Sequence, residues 1–352
     1  MGIRFRRSVK IAPGVRLSVT KTGLGVSAGV RGARYSVHSS GRRTTTVGIP
    51  GTGISSVSTS YGGSRSRSAG RPAPAPQPAT ITRDQAAAAL PKAGLFASTG
   101  EKRFRDGLVA YLSGDKAAAA QAFEAALAAE PKALSAHLLT ALSLNDDADL
   151  PTVVRHLEAV VTSAQPWPDK FLAKFLANAT EVGIDVKITE LISARVPLNH
   201  VGASLLLAEA YQLSNRLEEA IGLVQQLHEA NPGDPAIRLS LADLLLADSD
   251  FEGVVEIAAG VANKDDFTVA LIHMKAAALV ALGHTTAAVD AFKDALAKTA
   301  RRDEELLRTV RYDRALTFAQ QGQRAKAKAD FERLYTADPH FRDVAERLAG
   351  LN

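Results

Sequence analysis

ASLLLAEAYQLSNRLEEAIGLVQQLHEANPGDP, residues 203–235, carries a pattern that returns twice before residue 298. Ala208, Ala242 and Ala276 stand 34 residues apart. So do Ala220, Val254 and Ala288, and Val224, Ala258 and Phe292. Small residues at these places let two helices approach closely. A fixed period of this length is the mark of stacked helical hairpins, none of which buries its apolar face alone.

The same frame extends outward. Gly107, Gly114, Ala119, Phe123, Ala126 and Pro131 form a first unit, in which Gly114 closes one helix and Pro131 ends the next. Ala141, Leu144, Val153, Leu157 and Val160 form a second. The third, about 167–197, has Phe175 where a small residue belongs and Arg195 where an apolar one does. It is read as helical because it fills the gap between in-frame neighbours. Units four to six follow at 34 residues. The seventh (Ala315, Phe318, Gly322, Ala327, Phe331, Pro339) is displaced to 39, with the extra residues near Ala300–Glu305 taken up by a loop or a longer helix. FRDVAERLAGL, 341–351, has the single apolar stripe of a terminal capping helix.

These spacings resemble the tetratricopeptide repeat superfamily. The resemblance implies a superhelical solenoid whose first helices line a concave groove. Its inward positions would be Phe104, Leu108 and Tyr111 in the first unit, then Leu205, Glu209 and Gln212 in the fourth. Leu239, Asp243 and Leu246 follow, then His273 with Ala277, and Tyr312 with Leu316. These are the expected partner-binding residues. The paired Lys/Asn clamp of chaperone-binding members is absent at these places. Glu209 and Asp243 put negative charge in mid-groove, unless they merely form a solvated face.

Residues 2–60 follow another rule. Ile3 and Phe5 alternate with Arg4 and Arg6, Leu17 and Val19 with Arg16 and Ser18, and Leu24, Val26, Ala28 and Val30 continue with period two. Glycines punctuate the runs, as in a small antiparallel β domain with one wet face. The FR-R start, the GVR turn, GLGVSAGVRGAR and the ending TTTVGIPGTG resemble a bacterial N-terminal domain of unknown function, number 4236. That family lends a fold expectation and no site residues. Residues 61–82, Gly/Ser/Arg-rich then Pro/Ala-rich, read as a flexible linker. The expected organisation is multi-domain: an all-β domain over 1–60, the linker over 61–82, and an all-α TPR-like array over 83–352.

Charge divides the same way. Residues 1–83 hold fourteen Lys or Arg and no acid, while the remainder holds 28 basic and 37 acidic residues. A segment so basic attracts anions. Its expected anion contacts are Arg4, Arg6, Arg7, Lys10, Arg31, Arg34, Arg42 and Arg43. The occupant could be nucleic acid, an anionic membrane, an acidic protein or the chain's own acidic array. Assembly of copies through the β domain is a further option, since ~60 residues lie near the lower limit for an independent core.

Chemistry finds little foothold. There is no cysteine, so disulfides and thiolate metal sites are excluded. The Gly48–Gly53 run lacks the Lys-Ser/Thr ending of a phosphate loop. The acidic Asn145–Asp149 cluster lacks the glycine and final Glu of a calcium loop. His137, His156, His228 and His273 fall singly in helical patterns. No apolar stretch follows the basic N-terminus as in a secretory signal, and none reaches transmembrane length. The expectation is a cytoplasmic bacterial adaptor that binds a protein or peptide, without enzymatic activity, metal or cofactor.

Overall fold

Period-two alternation in the first sixty residues becomes a row of strands. The computed structural model describes residues 6–12, 15–20, 23–30, 33–38, 42–48, 55–61, 82–144, 150–176 and 183–351. The strands are β1 (Arg6–Ala12), β2 (Val15–Thr20), β3 (Gly23–Val30), β4 (Ala33–His38), β5 (Arg42–Gly48) and β6 (Ser55–Tyr61). Each pairs antiparallel with the next, in a register that sets Val9, Leu17, Val26 and Val37 in one row. The interior of the expected linker, Arg4, Arg31, the 49–53 turn and Asn145–Asp149 lie outside the described residues.

The chain divides into two units. One is Met1–Val186 with Arg195–Asn215, the other Lys187–Ala194 with Arg216–Asn352. The first contains α1 (Arg83–Ala89), α2 (Thr99–Leu112), α3 (Lys116–Ala129), α4 (Leu134–Ser143), α5 (Leu150–Val161), α6 (Lys170–Phe175) and α7 (His200–Leu213). Ser98 and Glu101 form a reciprocal cap at the start of α2, satisfying backbone N–H groups that the helix cannot. A Cβ on Gly107 would lie 2.6 Å from the Phe123 ring, so α2 and α3 touch where the side chain is missing. Ala119, Phe123 and Ala126 are fully buried on the other side of that contact. Then α3 packs on α4, and α4 on α5.

The third frame departs from the expected helical hairpin. Among its described residues the helix is the six-residue α6, and β7 (Gly183–Lys187) and β8 (Ser193–Pro197) follow. Helix α7 then packs directly on α5, taking the place that the third unit would have held. The reason is local. At the position held by Gly107, Ala141, Ala208, Ala242 and Ala276, the third frame has Phe175, whose buried ring packs against Phe104 instead of a small-residue helix contact. Downstream, Ile184, Val186, Ile188, Ile192, Ala194, Val196 and Leu198 are buried at period two, and Ser193, Arg195 and Pro197 are exposed. That is strand periodicity. Strand β7 extends the N-terminal sheet by pairing with β1 (Arg7 opposite Ile184), giving the order β6-β5-β4-β3-β2-β1-β7-β8.

The second unit holds α8 (Leu217–Ala230), α9 (Pro235–Ala247), α10 (Phe251–Ile257), α11 (Asp266–Ala281), α12 (Thr285–Leu296), α13 (Glu304–Gln320), α14 (Arg324–Ala337) and α15 (Val344–Leu351). Ala242, Val254, Ala276 and Ala288 are fully buried, as their spacing predicts. The residue closing a first helix has positive φ at Gly114, Asn215, Ser249, Gly283 and Gly322, the left-handed turn that frees the chain to reverse. The five extra residues before the last pair become a loop over 297–303 and a 17-residue α13. Buried Asn263 ties down the end of α12, donating to the Asp294 and Ala295 carbonyls at 3.1 and 2.8 Å. Arg302 in turn donates to Asn263 Oδ1 at 3.1 Å. Helix α15 covers the last pair: Val344 is buried with Tyr312, Phe331 and Leu334, and Phe341, Leu348 and Leu351 pack against them. No described helix is long and apolar enough to cross a membrane.

Candidate functional site

In the first unit, the side of α2 that carries Phe104 is already occupied. Phe104 is 0% exposed, and its ring centroid lies 5.1 Å from that of Phe171 and 6.1 Å from that of Phe175, both on α6. Phe123 completes the cluster at 5.5 Å. Two ion pairs flank it. Lys174 Nζ meets Glu101 Oε2 at 2.8 Å, and Lys170 Nζ meets the Glu130 carboxylate. The hydrogen bond from Lys174 holds the Glu101 carboxyl below its ordinary range, and the Glu130 carboxylate raises Lys170. Asp169 accepts from Leu172 N–H, capping α6, and from the Ser135 N–H and hydroxyl at 2.8 and 2.7 Å. Glu101 and Ser135 are 34 residues apart, at equivalent places on α2 and α4. Short α6 therefore lies across the starts of two first helices. Leu108, Tyr111 and Leu205 are also buried, whereas Glu209 and Gln212 on α7 are half-buried.

In the second unit, Leu239 is a core residue and Asp243, Leu246, His273, Ala277 and Leu316 are half-buried. Burial pushes the Asp243 carboxyl up to about 6. Lys187, at the end of β7, opposes that rise, and Glu190 in the turn after it reinforces it. His273 Nε2 lies 2.7 Å from Asp313 Oδ2, with its ring 6.0 Å from that of Phe292. Tyr312 is buried; its hydroxyl donates to Asp343, and the Arg342 guanidinium sits 4.7 Å from its ring centre. Phe104, Leu108, Tyr111, Leu205, Leu239 and Tyr312 are thus covered by their own chain. The polar positions, with Leu246, Ala277 and Leu316, retain surface. Of the basic residues, Arg6, Arg7 and Lys10 lie on β1, Arg34 on β4, and Arg42 and Arg43 on β5.

Two arrangements escaped the sequence reading. The first is α6 itself, hidden because its frame was expected to stack. The second joins α3, α4 and α5: His137 Nδ1 and His156 Nδ1 are 2.9 Å apart, and His156 Nε2 is 2.8 Å from Glu124 Oε1. Burial pulls His156 below its ordinary value, against the pull of Glu124. Sequence offers no cue to this pair, since 19 residues and a turn separate the two histidines. Among the described residues no group of three potential ligands is placed to hold a metal ion.

No curated protein matches the chain. Among solved structures, a chain of the APC/C hetero-tetramer Cut9–Hcn1 is similar at 14% identity and a TM-score of 0.40, covering 72% of this chain and 42% of that one. This chain therefore spans under half the length of that relative. A thermophilic TPR protein of Thermus thermophilus is similar at 16% identity and a TM-score of 0.25, covering 72% and 98%. The C-terminal part of a TPR repeat-containing protein from Cytophaga hutchinsonii is similar at 13% identity and a TM-score of 0.35, covering 71% and 74%. Residues 104–151 and 309–341 match tetratricopeptide repeats, and residues 3–57 match the protein family of unknown function DUF4236.

Proposed function

We propose that the protein is a non-enzymatic scaffold of the bacterial cytoplasm, whose repeats over 83–352 hold a protein or peptide partner. The observation behind this is the pair of tetratricopeptide matches at either end of a row of in-frame helix pairs. In this reading the half-buried residues Asp243, Leu246 and His273 of the second unit meet the partner, Glu209 and Gln212 of the first unit are separate candidate contacts, and residues 1–60 supply a second attachment beyond the linker. Crosslinking of the tagged full chain in cells, followed by mass spectrometry, should enrich a defined partner. Asp243→Lys should reduce its yield at least several-fold. Failure to enrich any protein over an untagged control defeats the scaffold reading.

A second reading follows from the fourteen basic residues of 1–83. There the N-terminal segment holds nucleic acid or an anionic membrane, with an affinity that falls steeply with salt. Retention of the full chain on DNA, RNA and anionic vesicles over a salt series tests it. No retention at low salt eliminates both ligands. Masking of the repeats by the N-terminal segment is the third reading, favoured by the pairing of β1 with β7.

A further inference from the structure

Helix α6 occupies its place as a ligand would. It touches two first helices, α2 and α4, which in a plain repeat stack meet only their neighbours along the array. It presents two phenylalanines four residues apart, so both fall on one side of a helix. Each is preceded by a lysine, and each lysine finds an acid, Glu130 or Glu101. The receiving surface is shaped for it. A Cβ on Gly100 would lie 3.1 Å from Phe171 Cζ, so even a methyl group there would crowd the bound ring.

We propose that the Glu101–Phe104–Glu130 surface is a helix-binding site held shut by α6. Its external ligand is a partner helix with the same chemistry: two aromatic residues four apart, each preceded by a lysine. This deepens the scaffold reading and rests on it. A six-residue helix has little stability of its own and depends on its docking contacts. Its tether, however, gives it an effective concentration in the millimolar range, which a free competitor must overcome. The apparent affinity of any partner is therefore reduced by the fraction of molecules in which α6 is undocked.

The test uses a labelled synthetic peptide, PWPDKFLAKFL (residues 166–176), and full-length protein, read by fluorescence anisotropy. Phe171→Ala/Phe175→Ala should bind the peptide at least tenfold more tightly than the unaltered chain. Adding Glu101→Lys/Glu130→Lys should abolish that binding, and a peptide carrying Lys170→Glu/Lys174→Glu should restore it. If the double alanine variant loses its helical circular dichroism, Lys170→Ala/Lys174→Ala replaces it, since both aromatics stay in place; a gain of threefold or more is then expected. A folded variant that binds no better than the unaltered chain overturns the proposal. So does binding indifferent to the charge at Glu101 and Glu130. Peptide binding without any cellular partner would sink the scaffold reading and leave the site standing; partner capture without peptide binding would do the reverse.

Discussion

Residues 203–298 and residues 167–197 were expected to share one periodic frame, yet of the two the first builds the helix pairs. In the first, alanines at 208, 242 and 276 are buried against facing helices. In the second, Phe175 stands at the equivalent place and points into the Phe104 cluster. A large side chain at the place of close contact, followed by a run of strand periodicity, marks the frame that becomes an insertion. The insertion then lies across two first helices, α2 and α4, against Phe104. Tandem arrays are tolerant of this because each unit contacts only those beside it, so α7 can close up on α5.

Phe175→Ala puts this contrast under the most strain. If bulk alone kept the third frame from stacking, alanine would let it join the array without loss. We expect a loss of about 3–5 kcal/mol in urea unfolding, because a ring with 2% exposure leaves a cavity. Asp243→Asn comes next. A carboxyl raised from 3.8 to about 6 stabilises the fold fully below its unfolded value and loses that contribution as pH rises through 6. The amide should flatten the fall in stability between pH 4 and pH 7, adding up to about 3 kcal/mol at the upper end. Identical pH profiles for the two proteins would show that burial of this carboxyl has no consequence.

Two glycines test the rule of close approach. Gly107→Ala should cost about 1–3 kcal/mol, since the new methyl meets the buried Phe123 ring at 2.6 Å. Gly222→Ala, inside α8 with nothing within 4 Å, should instead gain about 1 kcal/mol from helix propensity. The same sign at both sites would remove packing as the reason for small residues in the frame. An effect of similar size is expected at Ser249, which has φ of 65° where other pairs have glycine or asparagine. Ser249→Gly should raise stability by about 1 kcal/mol, measured by thermal melting.

Much of the helical part is legible because its signals are local and repeated. Small residues at 34-residue spacing, a left-handed closing residue and a proline or polar cap recur, and each acts within one or two turns of its own place. For the residues expected to face inward, the repeat pattern supplied a place in the frame but no measure of exposure. Phe104, Leu108, Tyr111, Leu205, Leu239 and Tyr312 fall in the frame, yet burial depends on what lies opposite. For Phe104 that is a segment nearly seventy residues away. The alternation of 184–198 went unread, because the 34-residue period on either side argued for helix there.

The spacing of most helix pairs, where their first helices turn and which frame is degenerate can be read along the chain, because periodicity and turn chemistry act between near neighbours. Where the defective frame goes is a matter of the folded molecule alone. Its phenylalanines and lysines had no local partner to announce. They found one in Phe104, Glu101 and Glu130 because the chain's path brings those residues together in space.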